Sequence, residues 1–211
     1  MEDLIIIGAG GLGKEVAWIV ERINKINRTW NLIGFIDDNI NLQGKIINGY
    51  KVLGTTKDIL NYKDSYFICA IASADIRKRI IQNYSYIKYA TIIDPSIELS
   101  NYIEIGQGSI ISLNSTTTVN IKIGSHVIIN YDCTIGHDST IDDYCTLYPS
   151  VNVSGNTKVK ECCEIGTGTQ IIQGLTIGEN TIIGAGTVVI KDLPSNCTVV
   201  GVPAKIIKYR N

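Results

Sequence analysis

The sequence predicts an α/β chain in two parts: a Rossmann-like βαβαβ domain over residues 1–90, then a parallel β-solenoid over residues 91–211. Three observations carry that expectation. An apolar run, DLIII, leads into the loop Gly8-Ala9-Gly10-Gly11-Leu12-Gly13 and on into an amphipathic helical stretch. A second apolar run, NLIGFIDDN, reaches the adjacent carboxylates Asp37 and Asp38. From Ile93 onward, an aliphatic residue recurs at every sixth position without a slip.

In the first part, strands are expected near 4–7, 32–36 and 66–70, with helices near 14–23 and 74–82. Gly8, Gly10 and Gly13 match the spacing G-x-G-x-x-G. That spacing makes a tight turn, lets a phosphate approach the backbone, and aims a helix N-terminus at it. The pair Asp37 and Asp38 suits ribose hydroxyls or a base edge. The chain before the repeats holds one mononucleotide half, not the two of a dinucleotide fold. A nucleotide sugar is therefore expected over a dinucleotide, and a purely structural strand–turn–helix is the remaining reading.

In the second part, the repeating positions run Ile93, Leu99, Ile105, Ile111, Thr117, Ile123 and on to Val189; Thr117 alone is not aliphatic. A period of six rich in β-branched residues is neither a helical period nor simple strand alternation. It fits short strands joined by tight turns and wound into coils, each strand burying one aliphatic residue. Four residues after each row lies a second inward position, with small residues such as Ser109, Cys133, Ser139, Cys145, Cys163 and Thr169. These cysteines read as compact core fillers, and Cys69 as a buried strand residue. Cys162 falls on an outward position. So do His137, two residues after Ile135, and His126, three after Ile123. On periodicity alone, an outward histidine is more often a solvated side chain.

Composition narrows the function classes. The 211 residues are 45 % hydrophobic and 18 % charged, a globular composition with enough chain for a core. A net charge of -1 with no basic stripe gives nucleic acid no electrostatic foothold. No apolar run reaches the length of a membrane span or a signal h-region, so a cytoplasmic protein with reduced thiols is expected. The six cysteines have no CxxC spacing, and no metal is expected.

The stretches IIIGAGGLGKEV, LIGFIDDN, ICAIASADIRKRI, IGHDSTIDDY, SVNVSGNTKV, IGAGTVVIKDLP and VVGVPAKIIK follow one another along the whole chain. Together they resemble the PglD/NeuD family of bacterial sugar acetyltransferases, within the hexapeptide-repeat acyltransferases. The resemblance implies a left-handed parallel β-helix of triangular section, three hexads to a coil, a hand that crossover rules alone would not give. It implies acetyl-CoA as acyl donor, no metal, and a homotrimer with active sites between neighbouring β-helices. The implied acceptor is the amino group of a nucleotide-linked amino sugar, foremost a UDP-linked 4-amino sugar. The alternative is a hydroxyl of sialic acid or of another surface-glycan sugar.

The resemblance also implies roles for individual residues. The family's catalytic histidine corresponds to His137 and its acidic neighbour to Asp138. The histidine would take the acceptor's proton during direct attack on the thioester. The acceptor's nucleotide would lie over Gly10, Gly11 and Gly13, with Asp37, Asp38 and Ser73 around it. Acetyl-CoA would meet the backbone at Gly155, Thr167 and Ala185, and Lys205 would meet its phosphates. His126 is expected to be a surface or interface residue. One departure is Leu12, where many relatives carry histidine in a GHG loop. Three other readings stay open: a cysteine nucleophile at Cys133 or Cys145, a non-catalytic trimeric scaffold, and an NAD-dependent enzyme.

Overall fold

Strand β1 (Glu2–Ile7) is buried from Leu4 to Ile7 because it pairs on both sides, with β2 (Trp30–Ile36) and with β5 (Tyr66–Cys69). The computed structural model describes residues 1–210. Helix α1 (Gly11–Ile26) buries Val16, Ala17, Ile19 and Val20, a stripe at helical spacing laid on the sheet. The sheet has the order β3-β4-β2-β1-β5-β6, with β3 (Ile46–Ile47), β4 (Tyr50–Gly54) and β6 (Lys88–Tyr89) completing it. Helix α2 (Ala74–Asn83) follows β5. All pairings are parallel except β3 with β4. That hairpin turns at Asn48-Gly49, both with positive φ (47° and 87°), a signal the sequence carries plainly.

From Ile92 the chain winds into three sheets, parallel throughout except that the last strand, Lys205–Tyr209, runs antiparallel to Cys197–Val200. Face I contains Ile110–Ile111, Ile128–Ile129 and Thr146–Leu147; face II contains Thr116–Thr117, Thr134–Ile135 and Asn152–Val153; face III contains Ile121–Ile123, Thr140–Ile141 and Lys158–Val159. Paired residues are 18 apart, as in Thr134↔Asn152 and Ile141↔Val159, so one coil is three hexads. The fold is a left-handed parallel β-helix. Both inward rows form one core, from Ile111 through Val153 and Cys163 to Val189. Leu99 breaks the expectation. It is 41 % exposed, because the first coil has no coil stacked outside it.

A third periodic position was not anticipated. Every sixth residue from Gly108 to Gly186 has φ between 55° and 79°. These left-handed residues turn the corners of the triangle, which explains why Asn, Asp and Gly recur there. His126, Tyr144 and Cys162 occupy this position in one corner column, between faces III and I.

The N-terminal domain packs on face I. There the outward residues Ile92, Ile110 and Ile128 are fully buried against Leu4, Ile6, Val16, Ile19 and Val20. Each such side chain contributes about 1.5–3 kcal/mol of burial. This contact corrects two expectations. His126 is 2 % exposed, stacked on Tyr144 at 5.5 Å and edge-on to Tyr89 at 4.8 Å. Burial, then the charge of Arg77, push its pKa down to about 4, so it is neutral at neutral pH. Cys162 is also buried, although the repeat points it outward.

Arg77 of α2 pins this junction. It is wholly buried, and its six acceptors are all neutral oxygens. Nη1 donates to Ile71 O and Ala72 O, and Nε to His126 O at 2.9 Å. Nη2 donates to the carbonyls of Tyr144 and Cys145 and to Thr146 Oγ1. Arg77→Met would orphan the carbonyls of Ile71, His126 and Tyr144, and a loss of at least about 3 kcal/mol in urea unfolding is expected. A loss below about 1 kcal/mol would contradict the clamp.

Candidate active site

Strands β1, β2 and β5 all end at one crevice of about 470 Å³, and the N-terminus of α1 opens into it. Gly10, Gly11, Asp37 and Asp38 line it. Gly13 does not; a Cβ there would collide with Gly8 O, so its lack of a side chain lets helix and loop approach. Ser73 caps α2 one residue beyond the lining residue Ala72. Leu12 reaches the crevice and makes that part of it apolar.

The two aspartates have work that the sequence did not reveal. Asp37 accepts from Ala9 N and Asn39 N, both at 2.8 Å, which holds the glycine loop against the end of β2. Asp38 accepts from Thr56 N at 2.7 Å and from its hydroxyl at 3.1 Å. Each carboxylate oxygen keeps a further lone pair for a ligand.

His137 stands on the corner between faces II and III, the corner opposite face I. Its side chain is 63 % exposed, and Nδ1 lies 2.8 Å from Asp138 Oδ2. Asn120, one coil earlier on the same corner, donates to Asp138 Oδ1 at 3.1 Å. The hydrogen bonds from His137 and Asn120 hold the Asp138 carboxyl below its ordinary value. With Nδ1 bonded to a carboxylate, the neutral ring carries its proton there and leaves the Nε2 lone pair free. Gly155, one coil later, makes room for that nitrogen: a Cβ would stand 2.6 Å from Nε2.

The other expected coenzyme residues lie elsewhere. Thr167 and Ala185 are 18 apart, exposed, and on the corner between faces I and II; Gly186 N donates to Thr167 O at 2.8 Å. Lys205 pairs with Val200, whose side chain packs beside Gly184, so it belongs to that same edge. His137 and Gly155 therefore share one edge, and Thr167, Ala185 and Lys205 share another. The strand-end crevice belongs to the domain covering face I. One chain does not bring the three together.

The cysteines are all buried and reduced. Burial pushes Cys133 up to about 12 and Cys145 well above its ordinary value, so neither supplies a thiolate. Among the described residues, no group of three His, Cys, Asp or Glu could hold a metal ion, and no helix is long and apolar enough to cross a membrane.

Comparison with known proteins fits both halves. Residues 3–84 match the PglD N-terminal domain, and residues 156–191 match the bacterial transferase hexapeptide (six repeats). The acetyltransferase domain of PglB from Neisseria gonorrhoeae FA1090 is 33 % identical, with a TM-score of 0.90 over 98 % of this chain and 100 % of that one. The chain belongs to the PglD/NeuD family of sugar acetyltransferases. The same PglB domain has been solved with acetyl coenzyme A, at 33 % identity and a TM-score of 0.89 over 98 % of this chain and 99 % of that one. A single-histidine variant of perosamine N-acetyltransferase from Caulobacter crescentus, solved with CoA and GDP-perosamine, is 27 % identical, with a TM-score of 0.87 over 99 % of this chain and 98 % of that one. An uncharacterized protein of Acanthamoeba polyphaga mimivirus is 29 % identical over 104 residues, which are 49 % of this chain but only 20 % of that protein. The chain thus spans about a fifth of that curated relative.

Gly155→Ala is expected to displace the His137 ring. The imidazole NMR signals of His137 should move while those of His126 stay, with the melting temperature falling by no more than about 4 °C. Unmoved His137 signals would show that the ring does not depend on the glycine.

Proposed function

We propose that this chain is an acetyl-CoA-dependent N-acetyltransferase acting on the amino group of a nucleotide-linked amino sugar. The observation that carries the reading is the His137–Asp138 pair at 2.8 Å, with Nε2 bare over Gly155, in a family chain that also has a nucleotide-sized crevice. Acetyl-CoA supplies the activated acetyl thioester. Its fit rests on the open, glycine-backed corner at His137 and the exposed edge of Thr167, Ala185 and Lys205. The glycine loop and the N-terminus of α1 take the diphosphate of the acceptor, and Asp37 and Asp38 take donors from its base or ribose.

In the proposed mechanism, Nε2 of His137 removes the proton from the acceptor amine as it attacks. Asp138 fixes the tautomer and offsets the positive charge that develops on the ring. The protonated His137 then returns the proton to the departing thiolate. Because His137 lies opposite face I, the acceptor crevice of the same chain cannot present an amine to it. We place the site between copies of a homotrimer, with His137 of one subunit facing the acceptor of the next. A UDP-linked 4-amino sugar is the proposed acceptor, in the cytoplasm where nucleotide sugars are made.

The test is a thiol-release assay with acetyl-CoA against UDP-, dTDP- and GDP-linked amino sugars and free and CMP-linked sialic acid. Activity on an amino sugar is expected, falling by roughly two to four orders of magnitude in His137→Ala with trimer mass and CoA binding intact. Turnover on sialic acid alone would replace the reading with O-acetylation. Near-normal turnover in His137→Ala would remove the base.

A further inference from the structure

The carboxyl group of Asp138 is half exposed, and an exposed carboxylate turns freely unless something holds it. The backbone at this corner is already tied on both sides. Asp138 N donates to Val119 O at 3.1 Å in the coil before, and Asn156 N in the coil after donates to His137 O at 2.7 Å. Those bonds fix the chain but not the carboxyl group. Asn120 does that: its Nδ2 donates to Asp138 Oδ1 at 3.1 Å, which leaves Oδ2 to His137 Nδ1 at 2.8 Å. A carboxylate only accepts, so this contact also settles which way round the Asn120 amide lies. Each oxygen of Asp138 has its own partner, and turning the carboxyl out of this plane weakens both bonds.

The residue type at position 120 carries the argument further. Asn120, Asp138 and Asn156 stack 18 residues apart at one corner, with φ of 55°, 58° and 56°. That backbone conformation suits Asn, Asp and Gly. On conformational grounds position 120 admits all three. Only asparagine presents a donor to the carboxylate. Aspartate would set a like charge against it, and glycine would leave Oδ1 to water. The same device recurs at a corner without a histidine, where Ser150 Oγ donates to Asp132 Oδ2 at 3.1 Å, again one coil apart. A short donor reaching across one coil is how this solenoid holds a corner carboxylate. At His137 the carboxylate so held is the one that meets the ring.

We infer that Asn120 is a positioning residue for acetyl transfer: it holds the Asp138 carboxyl so that His137 keeps its proton on Nδ1 and offers Nε2 to the acceptor. Its action runs through Asp138 and not through contact with substrate. The inference rests on the proposed reaction for its effect on turnover, but the ring tautomer reads it with no substrate present. Asn120→Gly, Asn120→Asp and Asn120→Ser are compared with the wild-type full chain. Nitrogen NMR of the imidazoles is recorded at alkaline pH, where an imidazole is neutral, and acetyl transfer is followed at steady state.

In the wild type, His137 should be the Nδ1–H tautomer. In Asn120→Gly and Asn120→Asp, the Nε2–H tautomer should appear at His137 while the His126 signals stay. In both, kcat should fall by about tenfold, the worth of one hydrogen bond to a charged group. KM for the acceptor and for acetyl-CoA should stay within about twofold. Asn120→Ser should restore most of the tautomer and of kcat, because a serine already makes this bond at the corner of Ser150. The inference is overturned if the wild-type ring carries its proton on Nε2, or if the tautomer is the same in all four proteins. It is equally overturned if the variants raise KM and leave kcat unchanged, since Asn120 would then merely shape the corner. A tautomer that shifts as expected in a protein that acetylates no amino sugar would leave Asn120 its role toward Asp138 and refute the proposed reaction.

Discussion

A single buried cation, Arg77, ties the two halves of this protein together. Removing a guanidinium from water is costly, and here every hydrogen bond that repays it comes from a neutral oxygen, with the charge of Glu164 nearby adding support. Those oxygens come from two places. Ile71 and Ala72 belong to the loop that lines the strand-end crevice, whereas His126, Tyr144, Cys145 and Thr146 belong to the corner and face of the solenoid. Any sliding of one domain over the other leaves some of them unpaired. Crevice and coils are thus held as one rigid frame, and Glu164 adds to it by accepting from the backbone N–H of Ala74 at the start of α2.

That frame explains where the sequence was legible. The six-residue period is a volume constraint, since each strand has room inward for one aliphatic and one small residue, and it could be read directly. What lies outside the triangle is a separate matter. The period correctly directs His126 and Cys162 away from the axis, yet both are buried, because a second domain covers that corner. A signal was present in Ile92, Ile110 and Ile128, apolar residues 18 apart that precede the inward row on a single face. Leu99 errs the other way: it has the right residue type at a coil with no outer neighbour.

The candidate site was legible to a similar depth. The glycine loop, the aspartate pair and His137 stand out in the sequence or through the family likeness, but their partners do not. Asn120 reaches Asp138 only because one coil is 18 residues, and Thr56 reaches Asp38 across a loop with no motif. Dividing the solenoid positions by 18 also shows what a motif list conceals. His137 and Gly155 occupy one corner, Thr167 and Ala185 another, and the strand-end crevice belongs to the domain on face I. The proposed reaction, which uses all three, is for that reason placed between neighbouring copies of the chain.

Complementation in mixed oligomers tests that claim most directly. One chain carries His137→Ala. The other carries Gly10→Glu, which sets a carboxylate where the acceptor's phosphates would lie, at a position where a side chain meets nothing within 4 Å. Each parent oligomer should be inactive, and mixed trimers purified through two different tags should recover about a third of wild-type acetyl transfer, since a closed ring holding both chains has one intact site of three. No activity beyond that of the parents would contradict a shared site and place the whole reaction within one chain.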